Sequence, residues 1–282
     1  MIIYKKYNQQ ELDLQYNNRF HVPDFENHLR RWERLSSDVL KKHKVIRDIP
    51  YGDKPRECLD IFPAPNPLSK TLVFIHGGYW QRFDKSLFHF IVGSFAEYEI
   101  TTVLINYPLA PNVSMDEIVR SCFDAIKWIS NHVGSHNGDP GQLYIAGHSA
   151  GGHLAAMLMA GEEEQKYTAG IRGVCTISGL FDLIPVQLSN INDVLKMDKE
   201  AAIRNSSVFK EPVASCPLLI AVGGEETNEF LDQSRMMSSE WKNKSISAEL
   251  MVLPGLNHFS VLDSLCDANS ALHRAWCKLM KI

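Results

Sequence analysis

The sequence predicts an α/β architecture, a mostly parallel central sheet with helices on both faces, in a single domain spanning residues 1–282. Three observations carry this. From about residue 71 onward, short apolar runs alternate with longer amphipathic ones, the pattern of a parallel sheet covered on both sides. One apolar run, Leu143-Tyr144-Ile145-Ala146, passes into a small-residue helical stretch through a single serine in Gly147-x-Ser149-x-Gly151. The composition is that of an ordinary globular chain: 282 residues, 45% hydrophobic and 22% charged, are enough for one large core.

The elements follow in order. Residues 9–42 are polar with spaced apolar positions (Leu12, Leu14, Tyr16, Phe25, Leu29, Trp32), which predicts helices forming an N-terminal cover over the core. Strand-like runs over 45–51 and 58–62 flank the turn-forming Gly52-Asp53-Lys54-Pro55 and predict an antiparallel hairpin. The proline-rich stretch 63–69 is a surface loop. A strand over 71–75 leads through His76-Gly77-Gly78-Tyr79-Trp80 into a helix from about 85 to 98. A strand over 101–107 precedes an amphipathic helix over 116–132, with Pro108 and Pro111 between them. After strand 143–146 and helix 150–160 comes a strand over 173–178. Residues 180–212 break the alternation with a polar, mixed segment, expected to form a small cap over the site. Strand 217–223, helix 229–241, strand 247–253 and a last helix over 261–280 complete the series.

A net charge of −4 gives no electrostatic reason to expect nucleic acid or an anionic membrane as partner; a small neutral or weakly charged molecule fits better. The six cysteines are widely spaced, without a Cys-x-x-Cys pair, and several fall inside apolar runs, as free thiols in a reducing compartment do. The N-terminus lacks a signal-peptide core and no apolar span is long enough to cross a bilayer, so the expected location is cytoplasmic. Sequons beginning at Asn112, Asn205 and Asn243 then have no glycosylation role.

A strand that turns abruptly into a helix holds its turn residue in a strained conformation and presents the side chain at the sheet edge, with the helix N-terminus behind it. Ser149 is therefore the candidate nucleophile. A serine hydroxyl needs a base, and His258, in the loop Gly255-Leu256-Asn257-His258 after the last strand, is the candidate. His148 and His153 are nearer in sequence but are expected to pack or hydrogen-bond locally. The acid that orients the base should come from the loop after strand 217–223, where Glu225, Glu226 and Glu229 compete. Glu229 suits the first turn of the following helix; between Glu225 and Glu226 the residues alone do not choose. The glycines of His76-Gly77-Gly78 permit backbone amides to turn inward, so Gly78 and Tyr79, with Ala150, are the candidate oxyanion-hole donors. Tyr79 and Trp80 are candidates for lining the substrate pocket. His76 is read as bracing the loop.

With these pieces in place, the chain resembles the α/β-hydrolase superfamily and, more closely, its arylformamidase (kynurenine formamidase)-like branch and related esterases. The resemblance covers nearly the whole chain. Its marks are the opening Glu11-Leu12-Asp13-Leu14-Gln15-Tyr16-Asn17-Asn18-Arg19, His76-Gly77-Gly78-Tyr79-Trp80, Gly147-His148-Ser149-Ala150-Gly151-Gly152, Glu229-Phe230 and Asn257-His258-Phe259. In that family the acid lies three residues before the Glu-Phe pair, which points to Glu226, with glutamate replacing the family's aspartate. The resemblance implies a Ser-His-Glu triad that hydrolyses an N-formyl aromatic amide, N-formylkynurenine being the type substrate, or a short-chain aryl ester. It implies no metal or organic cofactor, and homodimers are common among relatives. A general carboxylesterase, and a non-catalytic ligand-binding protein on the same fold, are the alternatives.

Overall fold

The computed structural model describes residues 1–160 and 168–282. Its centre is one eight-stranded sheet: β1 Ile46–Pro50, β2 Cys58–Phe62, β3 Ser69–Ile75, β4 Thr101–Ile105, β5 Gly138–His148, β6 Ile171–Ile177, β7 Leu218–Gly223 and β8 Ala248–Leu253. The spatial order is β1-β2-β4-β3-β5-β6-β7-β8. β2 runs antiparallel to both β1 and β4, and every other pairing is parallel.

Alternation along the strands divides the core between the two faces of the sheet. In β3, Val73 and Ile75 join one apolar cluster while Leu72 and Phe74 join the other. β3 pairs with β5 so that Val73 lies opposite Ile145 and Leu72 opposite Tyr144, and each pair feeds the same face. A one-residue slip would exchange the two sets, so burial on both faces fixes the register. Helices Met115–His132 and Ala150–Met159 cover one side. Helices Phe25–Lys42 and Ala271–Met280 cover the other, through Trp32, Val39, Trp276 and Met280. Among the described residues no helix is long and apolar enough to cross a membrane.

Two expected helices are broken. The stretch 85–98 is a 3-10 turn Lys85–Phe88, a short helix Phe90–Phe95 and a second 3-10 turn Ala96–Tyr98. Side chains intercept the local bonding: Asn106 Oδ1 accepts the Lys85 N–H and Ser36 Oγ accepts the Phe90 N–H. Lys85 is also drawn inward, its ammonium bonded to Asp48 and close to the buried Asp60. The final helix divides into Ser260–Leu265 and Ala271–Met280, because Ser270 starts the second segment by accepting the His273 N–H. The irregular stretch 180–212 contains helices Ile184–Gln187, Asn192–Leu195 and Lys199–Arg204 and a 3-10 turn Ser207–Phe209.

The topology brings the chemistry-bearing loops to one edge. The residues that follow the C-terminal ends of β3, β5, β6, β7 and β8 lie side by side there, where open α/β sheets place their sites.

Candidate active site

Ser149 is the single residue between β5 and helix Ala150–Met159, with φ 56° and ψ −119°. A non-glycine residue at such a φ is strained and persists only where its surroundings fix it. They do so here. The Ser149 N–H is held by the Ile177 carbonyl at 2.8 Å, and a Cβ on Gly151 would sit 2.0 Å from the Ile75 carbonyl oxygen. The helix can therefore approach β3 this closely only because residue 151 is glycine. Serine at a helix N-cap ordinarily accepts an amide of the first turn, yet the Ser149 side chain makes no such cap. Its hydroxyl instead lies 3.1 Å from His258 Nε2.

His258 and Glu226 complete a buried relay. His258 Nδ1 donates to Glu226 Oε2 at 2.7 Å, which leaves Nε2 as the acceptor facing Ser149. Glu226 is 9% exposed, and its second oxygen, Oε1, accepts from the Gly223 amide at 2.8 Å and from Ser178 Oγ. Glu225 is exposed and Glu229 turns away to pair with Lys5 at 3.0 Å, so of the three competing glutamates only Glu226 reaches the imidazole. Burial raises the Glu229 carboxyl above its ordinary range, with Lys5 opposing. Ser178, fully buried just beyond β6, carries no motif in the sequence and was not singled out there.

The neighbouring histidines do not bond locally as their positions suggest. His148 Nε2 donates across the site to the His258 backbone carbonyl at 2.8 Å, which braces the loop that carries the imidazole facing Ser149. Burial, then the nearby His258, lowers the His148 imidazole to about 3. His153 Nε2 donates to the Asn205 carbonyl and its Nδ1 accepts from the Trp80 indole, and burial lowers it to about 4. His76 stacks on Tyr107, 4.5 Å between centroids, and donates from Nδ1 to the Gly77 carbonyl. Burial lowers it also to about 4.

Gly78, Tyr79 and Trp80 all have positive φ (112°, 51° and 58°), and a Cβ on Gly78 would lie 2.4 Å from the Arg82 carbonyl oxygen. The turn is pinned at three points. The Trp80 carbonyl accepts the Ala110 amide, Tyr79 Oη donates to the Tyr16 carbonyl, and the Trp80 ring is fully buried. Trp80 therefore does not line the cavity, contrary to the expectation from sequence; its indole packs edge-on against and donates to His153, on the helix behind Ser149, which makes it the anchor of the loop. The amides of Gly78, Tyr79 and Ala150 donate to no protein acceptor among the described residues, and Ala150 lies at a helix start, where amides lack intrahelical partners. The Ser149 amide is already taken by Ile177.

A cavity of about 410 Å³ opens onto Ser149 and His258, and Gly78 and Tyr79 are among its lining residues. Much of its remaining wall comes from the N-terminal cover and from the 180–212 stretch, through Tyr16, Asn18, Arg19, Trp32, Ile191 and Val194. The N-terminal contribution goes beyond a cover. Asn18 and Tyr16 both engage the Tyr79 hydroxyl, and Trp32 Nε1 donates to Asp263, on the helix just after His258, at 2.7 Å. The short polar run Tyr16-Asn17-Asn18-Arg19 between two amphipathic stretches was the one sequence signal of this.

Similarity to known proteins accords with this fold. Residues 72–262 match a family model described as alpha/beta hydrolase fold. The chain is similar to kynurenine formamidase of Danio rerio, 29% identical with 98% of each chain covered. It is also similar to that of Salmo salar, 30% identical over 88% of this chain and 91% of the relative. Among solved structures, a Silicibacter sp. tm1040 protein with a provisional thioesterase name superposes with a TM-score of 0.82. It is 29% identical, with 93% of this chain and 97% of that one covered.

Proposed function

This chain belongs to the α/β-hydrolase family, in its arylformamidase-like esterase branch, and is a hydrolase; we propose that Ser149, His258 and Glu226 are its catalytic triad. The substrate we infer is an N-formyl aromatic amide of the N-formylkynurenine kind, the reaction named in its fish relatives. One observation carries the reading: a serine at a helix start leaves its capping role and turns its hydroxyl to an imidazole that a buried carboxylate orients.

The reaction is two-step acyl transfer. Ser149 Oγ attacks the formyl carbon while its proton passes to His258 Nε2. The negative charge that forms on the carbonyl oxygen is met by the free amides of Gly78, Tyr79 and Ala150; one such donor is worth about 2.7–4 kcal/mol in the transition state. The C–N bond then breaks as Nε2 returns the proton to the departing aryl amine, leaving a formyl ester on Ser149. Water attacks that ester, gives its proton to His258, and formate leaves as Ser149 regains its hydrogen. Glu226, bonded to Nδ1, orients the imidazole and stabilises the imidazolium. Tyr79, at the cavity wall, contacts the substrate beside the scissile bond.

The same steps cleave a short-chain aryl ester, with a phenol, protonated by Nε2, leaving instead of an amine, and the thioesterase-named structural relative favours keeping a general carboxylesterase as the second reading. The two are separated by the ratio of kcat/KM for N-formylkynurenine to that for p-nitrophenyl acetate, with Ser149→Ala as blank. A ratio well above one supports the formamidase; a strong preference for the ester replaces it with the esterase.

A further inference from the structure

Two arginines, Arg19 and Arg82, line the cavity onto which Ser149 opens. Neither guanidinium has a hydrogen bond or an ion pair to any described residue; Arg19 rests on the Phe25 ring, 4.8 Å from its centroid. They are rooted on the two segments that Tyr79 ties together. Arg19 follows Asn18, which bonds the Tyr79 hydroxyl, and Arg82 follows the turn that carries Tyr79. Burial and then the Arg82 charge make the Arg19 cation less favourable than usual, while Glu26, which acts the other way, is itself bonded to Arg30. Among the described residues, the one carboxylate on the cavity wall is Asp193, which comes from helix Asn192–Leu195 in the 180–212 stretch and pairs with neither arginine.

Two like charges at the wall of one cavity disfavour each other, and neither is offset by an ion pair with a described carboxylate. An anion placed between them relieves the repulsion and meets planar donor forks that suit a carboxylate. We propose that Arg19 and Arg82 form a carboxylate subsite that holds an acidic group on the leaving portion of the substrate and selects acidic aryl amides and esters over neutral ones. The carboxylate belongs to the leaving portion because a formyl or acetyl group has no room for one. The subsite rests on the assignment of Ser149 as nucleophile and does not depend on the scissile bond being an amide.

Two matched substrate pairs test it: N-formylkynurenine with its primary carboxamide, and meta-acetoxybenzoate with meta-acetoxybenzamide. The quantity read is the carboxylate-to-carboxamide ratio of kcat/KM within each pair at low salt, so a general loss of activity or fold in a variant cancels. The wild-type ratio is expected to be about tenfold or more and to fall as salt is raised. In Arg19→Gln/Arg82→Gln it drops to within about twofold of one, and Arg19→Lys/Arg82→Lys restores part of it. A wild-type ratio near one, or a ratio that the glutamine variant leaves unchanged, overturns the subsite. If only the ester pair is turned over and it obeys the expectation, the formamidase reading falls and the subsite stands. If neither pair is turned over, both fall.

Discussion

Ser178 Oγ donates to Glu226 Oε1, the carboxylate oxygen that His258 does not use, so the proposed triad acid is gripped from the neighbouring strand end while its other oxygen faces the imidazole. Removing that hydroxyl leaves Oε1 with the Gly223 amide alone. A hydrogen bond to a charged group contributes about 1.5–3 kcal/mol, so Ser178→Ala should lower kcat about tenfold or more, with KM little changed. Steady-state kinetics on p-nitrophenyl acetate measure this, and a wild-type kcat would show that Glu226 is positioned without it.

Adjacent glutamates should behave oppositely. Glu226 is buried against His258, whereas Glu225 is exposed and contributes only its backbone amide, to the Leu256 carbonyl. In the proposed triad, Glu226→Gln removes the charge that stabilises the imidazolium and permits the wrong tautomer, and kcat is expected to fall by about 10⁴. Glu225→Gln should stay within about twofold of wild type. Equal losses in the two variants would refute the assignment of the acid.

Acid should destabilise the fold before it affects most carboxylates. His76, His148 and His153 are buried and uncharged, held down to about 4, about 3 and about 4, chiefly by burial. Unfolded, each takes a proton near its ordinary value of about 6.5, so below that pH the unfolded chain binds more protons and stability falls as pH falls. The window runs from about 6.5 down to the folded values. Together the three histidines should cost about 4 kcal/mol between pH 7.5 and pH 5.5. Urea unfolding at the two pH values measures it, and equal stability would contradict the neutral, buried state of these rings.

Strand positions were legible because apolar runs such as 71–75 and 218–223 are buried on both faces and need no long-range information to be recognised. Ser149 and His258 were legible for a related reason: a small-residue elbow and a loop after the last strand are local patterns. What depended on distant partners was not. The break at Phe90 comes from Ser36, the grip on Glu226 from Ser178, and the reach of His148 to the His258 carbonyl from the ordering of strands in the sheet. Trp80 misled because an aromatic after a glycine turn looks the same whether it faces a cavity or, as here, the indole is swallowed by His153 and the core. The choice of Glu226 over Glu225 came from resemblance; what the residues alone did not carry is that Glu226 is buried against His258 while Glu225 is exposed.

The most direct test of the account is covalent labelling of the wild-type protein with a fluorophosphonate probe, followed by intact mass and peptide mapping. A single adduct on Ser149 is expected, absent in Ser149→Ala and formed far more slowly in His258→Ala. A wild-type protein that stays unlabelled, or carries its adduct on another residue, would contradict the assignment of Ser149 as the nucleophile.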